Sequence, residues 1–290
     1  MIPAAFDYHR PGSLDEAIGL LTRHGEQSKV LSGGMSLLPA LKLRLGAFEH
    51  LVDIGRIPGL DYIKEEGGFL KIGAMTRQAT LGRSDLIRAK CPALADAVPL
   101  IADPLVRNRA TLGGNVANGD PANDAPAIML ALGATLVARG PKGERTIAAN
   151  RFYTGTYATA LARDEILTEI RIPVAPARSG GAYRKLKRKT GDFAVAAAAV
   201  QLTLDAKGAV ASAAIALTNA GPTPVEAVDA AKFLVGKQPD AKTIAEAAKK
   251  AAAVSKPSAD VRGSVEYKQN MARIMTERAL QAALERAGGK

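Results

Sequence analysis

Two glycine pairs constrain this chain more than any other feature. Gly33 and Gly34 stand in the run Val30-Leu31-Ser32-Gly33-Gly34-Met35-Ser36, and Gly113 and Gly114 in Thr111-Leu112-Gly113-Gly114-Asn115. Each pair follows a short apolar segment and leads through small polar residues into a helix-like apolar run. Glycine lets a backbone turn tightly and lets its N–H groups approach a ligand with no side chain in the way. At a helix start, such N–H groups make an anion site of the kind that holds phosphates. Two of them suggest two arms gripping one diphosphate, although a bare Gly-Gly is equally a plain turn. Neither is a P-loop, since no G-x-x-x-x-G-K-[ST] occurs, and no G-x-G-x-x-G follows a strand to support a Rossmann fold.

The rest of the composition narrows the chemistry. Cys91 is the only cysteine, so the chain forms no internal disulfide and cannot supply the cysteine set of an iron–sulfur cluster. Followed by Pro92, it is expected to be a small buried hydrophobe. His9, His24 and His50 are scattered along the chain without metal-ligand spacing, so no metal ligand is assigned and any metal chemistry is expected on a partner chain. The amino terminus lacks a signal-peptide pattern, and no run approaches the roughly 20 apolar residues of a membrane span. The cytoplasm is therefore expected. The formal charge of +11 is densest at Arg184-Lys185-Leu186-Lys187-Arg188-Lys189. That run reads as a solvated strand or loop face, or as a contact with a cofactor or subunit. Nucleic acid is not expected, because no binding motif accompanies it.

Along the chain, Ser13 and Glu16 form a capping-box pattern that opens a helix ended by Gly25. Lys29 to Leu31 reads as a strand, Leu37 to Leu45 as a helix stopped by Gly46, and His50 to Ile54 as a second strand. Phe69 to Gly73 alternates as a strand does. Residues Thr76 to Ala102 carry helical patterning, interrupted near Pro92 and Pro99. Asp124 is a plausible N-cap for the run Ala127 to Leu132. Strands follow at Ala134–Ala138, Glu165–Ile172, Ala194–Leu204 and Val210–Thr218, and helices at Ala241–Val254 and Val265–Ala287, the last capped by Ser264. Its stripe of Met271, Ile274, Met275, Leu280, Ala283 and Leu284 reads as core. The breaks suggest three units, 1–56, 57–173 and 174–290.

The stretch from Ile101 to Asp124 resembles the FAD-binding medium subunit of molybdenum hydroxylases, the group of xanthine dehydrogenase and aerobic carbon monoxide dehydrogenase. The shared features are the early Gly-Gly turn, the Thr-x-Gly-Gly-Asn turn, the opening Phe6-Asp7-Tyr8-His9-Arg10-Pro11, the segment Tyr183 to Asp192 and Ile215 to Asn219. They span the whole chain and lie nearest the carbon monoxide dehydrogenase type. Ser32 stands where the family more often has Ala. Met35 and Phe193 stand where the carbon monoxide enzymes carry His and Tyr, which leaves the substrate open but not the flavin.

The resemblance implies an α+β protein: two α/β FAD-binding subdomains of the vanillyl-alcohol-oxidase type, then an antiparallel sheet with helices. It implies non-covalent FAD held by Leu31, Ser32, Gly33, Gly34, Met35, Ser36 and Leu37 in the first turn, and by Thr111, Gly113, Gly114, Asn115 and Asn118 in the second. Asp124 would face ribityl or ribose hydroxyls, Leu167 and Lys185 would approach the ring, Phe193 would lie near its face, and Ala102 would also contact the cofactor. No catalytic residue is assigned. The molybdenum cofactor and [2Fe-2S] clusters belong to a large and a small partner subunit, in a dimer of heterotrimers that is at most peripheral to the inner membrane. Electrons would leave through this chain to a quinone, dioxygen or NAD. The alternative is a self-contained FAD-dependent oxidoreductase with its own substrate site. Valine at Gly33 or Gly114 is expected to cost FAD far more than fold.

Overall fold

The computed structural model describes residues 2–288. The chain opens as a small parallel α/β unit, with β1 (Asp7–His9), α1 (Leu14–His24), β2 (Ser28–Leu31), α2 (Leu37–Lys42) and β3 (His50–Asp53). The strand order is β1-β3-β2, both pairings parallel. Helix α1 starts where its sequence says it should: Ser13 Oγ accepts the Glu16 N–H, and Glu16 reaches back to the Gly12 N–H. It stops at Gly25, whose φ of +52° suits glycine. Helix α2 is shorter than its apolar pattern predicts, ending at Lys42 because Arg44 already has a left-handed φ of +60°.

The second unit is built on a sheet that is antiparallel throughout: β4 (Ile63–Glu66), β5 (Phe69–Gly73), β6 (Thr135–Gly140), β7 (Gly143–Ala148) and β10 (Ile166–Pro173). Its order is β4-β5-β10-β6-β7, with the short hairpin β8 (Tyr153–Gly155) and β9 (Ala158–Thr159) to one side. The helical patterning of Thr76 to Ala102 resolves into three single-turn-scale helices, α3 (Gln78–Arg83), α4 (Asp85–Lys90) and α5 (Pro92–Ala97). Ser84 caps the second, and Pro92 occupies the first turn of the third, where its missing N–H costs nothing. Three more follow: α6 (Pro104–Arg107), α7 (Leu112–Ala117) and α8 (Asp124–Ala131), the last buried on every side. Cys91 lies in this core fully buried, and burial pushes its thiol up to about 12, so it is an inert hydrophobe as read.

The third unit is a four-stranded antiparallel sheet, β11 (Ser179–Leu186), β12 (Ala196–Leu204), β13 (Val210–Thr218) and β14 (Val225–Glu226). It carries α9 (Val228–Leu234), α10 (Ala241–Ala253) and α11 (Val265–Ala287). Strand β12 shows why its sequence is almost all alanine. Ala196, Ala198, Val200 and Leu202 face the helices of this unit, while Ala197 and Ala199 join the core under the five-stranded sheet. A strand buried on both faces reads as a continuous apolar run, and small residues let helices approach from either side. Ser264 caps α11 as read, and its Met275, Leu280 and Ala283 are core.

The tightest approach of helix to sheet is at Gly180, where an added Cβ would fall 1.9 Å from the Ala283 carbonyl oxygen. Gly180→Ala is therefore expected to destabilise the chain by roughly 3 kcal/mol through forced separation of α11 from β11. Gly19, exposed on α1 with nothing within 4 Å, is the control. Gly19→Ala should raise stability by roughly 0.5–1 kcal/mol. Denaturation midpoints of the two variants check both signs.

Candidate functional site

The two glycine turns meet. Strand β2 delivers Leu31 and then the first turn, and Ser32 Oγ lies 2.7 Å from Thr111 Oγ1 in the second. Ser32 also donates to the Met75 sulfur at 3.0 Å. A Cβ on Gly33 would lie 2.2 Å from the Arg109 carbonyl oxygen, and one on Gly113 would lie 2.6 Å from that of Ala74. Glycine is needed at both positions because backbone presses on backbone. Gly34 has φ +76°, the turn that sends the chain into α2.

Their donors are not equivalent. The N–H groups of Gly33, Gly34, Met35 and Ser36 make no hydrogen bond within the described residues. In the second turn the N–H groups from Leu112 to Asn115 are all satisfied internally. Leu112 donates to Thr76 O and Gly113 to Ala74 O, both at 2.9 Å; Gly114 donates to Thr111 Oγ1 at 3.0 Å and Asn115 to Thr111 O at 3.1 Å. The expectation of two matching backbone grips is corrected here. The first turn presents free donors, and the second braces it. Free N–H groups on a glycine turn are an anion cradle.

Around this pair, Asn115 ties α7 to the start of α8, its Oδ1 accepting from Ala125 N at 3.3 Å and its carbonyl from Asn123 Nδ2 at 3.0 Å. The Asn118 side chain is half-buried beside it. The N-cap position of α8 is Asn123, not Asp124, which is the first helical residue and points elsewhere. Its carboxylate accepts from Tyr183 Oη at 2.6 Å and from Lys185 Nζ at 2.9 Å, all three groups buried. Burial pushes the Asp124 carboxyl up, against the opposing pull of Lys185. Tyr183 and Lys185 share a face of β11 by the two-residue period of a strand. That period, read with the quoted Tyr183-to-Asp192 segment, was the signal that could have added Tyr183 to the site.

Lys185 also donates to Leu100 O at 3.2 Å, which brings β11 to the turn at Ala102. Ala102 has φ +44° and packs opposite Gly191. Phe193 is 45% exposed at the end of this loop, its ring 5.9 Å from the Arg262 guanidinium carbon. The Arg262 hydrogen bond to Asp192, seconded by Arg188, outweighs burial and holds the Asp192 carboxyl at about 2. Leu167 is buried at a bulge in β10, one residue before the Thr168 carbonyl that accepts from Ala74 N. Arg184, Lys185 and Arg188 of the basic run are thus ion-paired within the chain, Arg184 with Asp96. Leu37 opens α2 directly behind the free donors.

The three histidines, scattered in sequence, converge in space: one ring nitrogen from each lies within 4.8 Å of the others. Strand β1 lies beside β3, so His9, two register steps along from His50, comes within reach of its ring, and α1 brings His24 to both, which no linear spacing reveals.

A family model described as the FAD binding domain in molybdopterin dehydrogenase matches residues 4–175, and one described as the CO dehydrogenase flavoprotein C-terminal domain matches 181–283. The chain is 49% identical over 287 residues to the carbon monoxide dehydrogenase medium chain of Afipia carboxidovorans, with 99% of each covered. A chain of the carbon monoxide dehydrogenase from Hydrogenophaga pseudoflava that lacks the Mo-pyranopterin moiety of the molybdenum cofactor superposes with a TM-score of 0.96. It is 48% identical, with 99% of each chain covered. A chain of quinoline 2-oxidoreductase from Pseudomonas putida 86 gives 0.92 at 33% identity, again over 99% of each.

Removing one partner from a buried ion pair leaves an uncompensated charge. Asp124→Asn is accordingly expected to cost roughly 3–5 kcal/mol, and Asp124→Asn with Lys185→Met much less. Urea midpoints of the single and double variants decide it. Asp192 sets an acid limit on the Phe193 loop. Its folded value, about 2, lies below the ordinary 3.8, so its contribution is fully present above 3.8 and lost as pH falls toward 2. Arg262→Met should flatten that part of the acid-unfolding profile, followed by tyrosine fluorescence.

Proposed function

The chain belongs to the family of FAD-binding subunits of molybdopterin dehydrogenases, and from that premise we propose that it is the flavin-bearing electron outlet of a molybdenum hydroxylase complex. The observation that carries the reading is the run of free N–H donors from Gly33 to Ser36, held open by the bracing turn at Thr111 to Asn115. Unsatisfied donors on a glycine turn fit the diphosphate of FAD, whose negative charge would meet them without reorganisation. Leu31, Met35 and Leu37 flank the donors, while Gly113, Gly114 and Asn118 shape the opposing wall. At the other end, Ala102, Leu167, Lys185 and Phe193 border the space for the ring, and Asp124 fixes Lys185 in place.

FAD, when bound, accepts electrons singly and passes them on in pairs. In this reading the electrons come from iron–sulfur clusters on a small partner subunit, themselves supplied by a molybdenum-bearing large subunit. The three chains form a heterotrimer that pairs into a heterohexamer, and the external acceptor is a quinone, dioxygen or NAD. Division of the chain at about residues 56 and 173 would place one FAD-binding unit on either side of the turn–turn contact. The third unit would close on the ring through Lys185 and Phe193. Carbon monoxide is the substrate that similarity favours, since identity to a carbon monoxide dehydrogenase chain is 49% against 33% for the quinoline enzyme. Among the described residues no helix is long and apolar enough to cross a membrane.

The structure also separates the two glycine substitutions. Valine at Gly33 collides with the Arg109 backbone and should damage the fold itself, contrary to the simple expectation from sequence. Thr111→Val is the cleaner probe, because it removes the Ser32 contact and the cap on Gly114 together. It is expected to cost roughly 1 kcal/mol of stability, and to weaken FAD binding at least about tenfold, equivalent to 1.4 kcal/mol. Flavin fluorescence titration of the acid-stripped, refolded chain measures it, and acid precipitation should leave the flavin in the supernatant. Co-expression with the neighbouring large and small subunit genes should yield one preparation with both flavin and iron–sulfur absorbance that oxidises carbon monoxide. Substrate turnover by the flavin-loaded chain alone would instead establish the self-contained oxidoreductase.

A further inference from the structure

All three histidines of the chain gather in one cluster on the parallel α/β unit. His9 closes β1, His24 closes α1 and His50 opens β3. The register pairs Ser28 with His50 and Leu31 with Asp53, so His50 starts at the end of the sheet opposite the glycine turn, while His9 is paired with Val52 and meets His50 through its side chain. His9 Nε2 and His50 Nδ1 are 3.1 Å apart, and the His24 and His50 ring centroids are 3.7 Å apart. The His9 and His24 rings stack at 5.3 Å. Asp7, opposite His50 in the β1–β3 ladder, places a carboxylate oxygen 3.5 Å from His50 Nδ1. All three rings are half-buried.

This arrangement has the dimensions of a coordination sphere. Two nitrogens bound to one tetrahedral Zn²⁺ at 2.0–2.1 Å stand about 3.3 Å apart, close to the His9–His50 separation. Three imidazoles with an acidic or open fourth position form a donor set suited to zinc, copper or nickel rather than calcium or magnesium. The neutral ring is the form that binds a cation.

We propose that His9, His24 and His50 form a three-nitrogen site for a divalent transition cation, Zn²⁺ being the fitting case, with Asp7 or water as the fourth ligand. The cation joins three elements that otherwise meet through a small core. It pins the amino-terminal strand and the end of α1 to β3, the strand that sits beside the one delivering the first glycine turn. None of its ligands belongs to either glycine turn.

The test uses the full-length chain loaded with FAD, so that flavin content reports folding. The protein is stripped with a chelator, dialysed against micromolar Zn²⁺, and analysed for bound metal and thermal midpoint. One zinc per chain and a raised midpoint are expected, since a cation that binds only the folded state stabilises it by mass action. His24→Gln and His9→Asn should each abolish both effects while keeping full flavin content. Retention of no zinc by the wild-type chain overturns the proposal. So does equal retention by wild type and His24→Gln, which would place the metal elsewhere on the surface. If His9→Asn loses flavin by misfolding, His24→Gln decides alone, because His24 ends an exposed helical turn and belongs to no strand.

Discussion

The structure depends on one contact, that of two backbone turns pressed together without side chains between them. Gly33 lies against the Arg109–Ala110 backbone, Gly113 lies against Ala74, and the Ser32 and Thr111 hydroxyls bridge the pair. The first turn belongs to the parallel α/β unit that runs to Asp53, and the second to the antiparallel sheet and short helices that run from Ile63 to Pro173. The two are also joined by a small core in which Ile166 of β10 packs with Ala17, Ile18 and Val52, and by the Arg139–Asp15 ion pair. Small residues here serve two ends at once: they allow the approach, and they leave the N–H donors of the first turn without a partner in the chain.

The asymmetry of the turns follows from what lies behind each. The first has α2 behind it, whose N–H groups take the Gly34 and Ser36 carbonyls but which leaves the N–H groups of residues 33–36 unused. The second is backed by the Ala74–Thr76 segment, whose carbonyls take the Leu112 and Gly113 N–H groups. A donor cannot serve a ligand while it serves a neighbour, so the anion-binding capacity concentrates on one arm. The other arm supplies rigidity. Preorganisation of this kind lowers the ordering cost of binding a long, flexible dinucleotide.

Much of this was legible in the sequence, for physical reasons that differ by element. The glycine turns stood out because few residues can replace glycine there. Helix α11 was read to its ends because Ser264 caps it and its apolar period is regular. Strand β11 was harder, since its basic end resembles a solvated face, whereas Arg184, Lys185 and Arg188 each find a carboxylate within the fold. Asp124 looked like a cap because aspartate usually is one; its partners Tyr183 and Lys185 lie on a strand far along the chain. The histidines were invisible as a group because strand order, not spacing, brings them together. The donor asymmetry was likewise hidden, since nothing in Thr111 to Asn115 says that Ala74 and Thr76 will reach it first.

The alanine-rich strand β12 explains how the third unit can act on the flavin site at all. Its residues alternate between two cores, so the four-stranded sheet is fixed on one side to its own helices and on the other to α8 and α5. The sheet therefore cannot slide without opening the core that also carries α7 and the bracing turn. Lys185 emerges from this sheet and is locked by Asp124 at the start of α8, so a cation buried at 2% side-chain exposure is held by two units at once. Such a pair contributes little net stability, because desolvation offsets most of its attraction. What it provides is register. It sets where β11 ends relative to α8, and hence where the loop to the exposed Phe193 stands against the turn at Ala102.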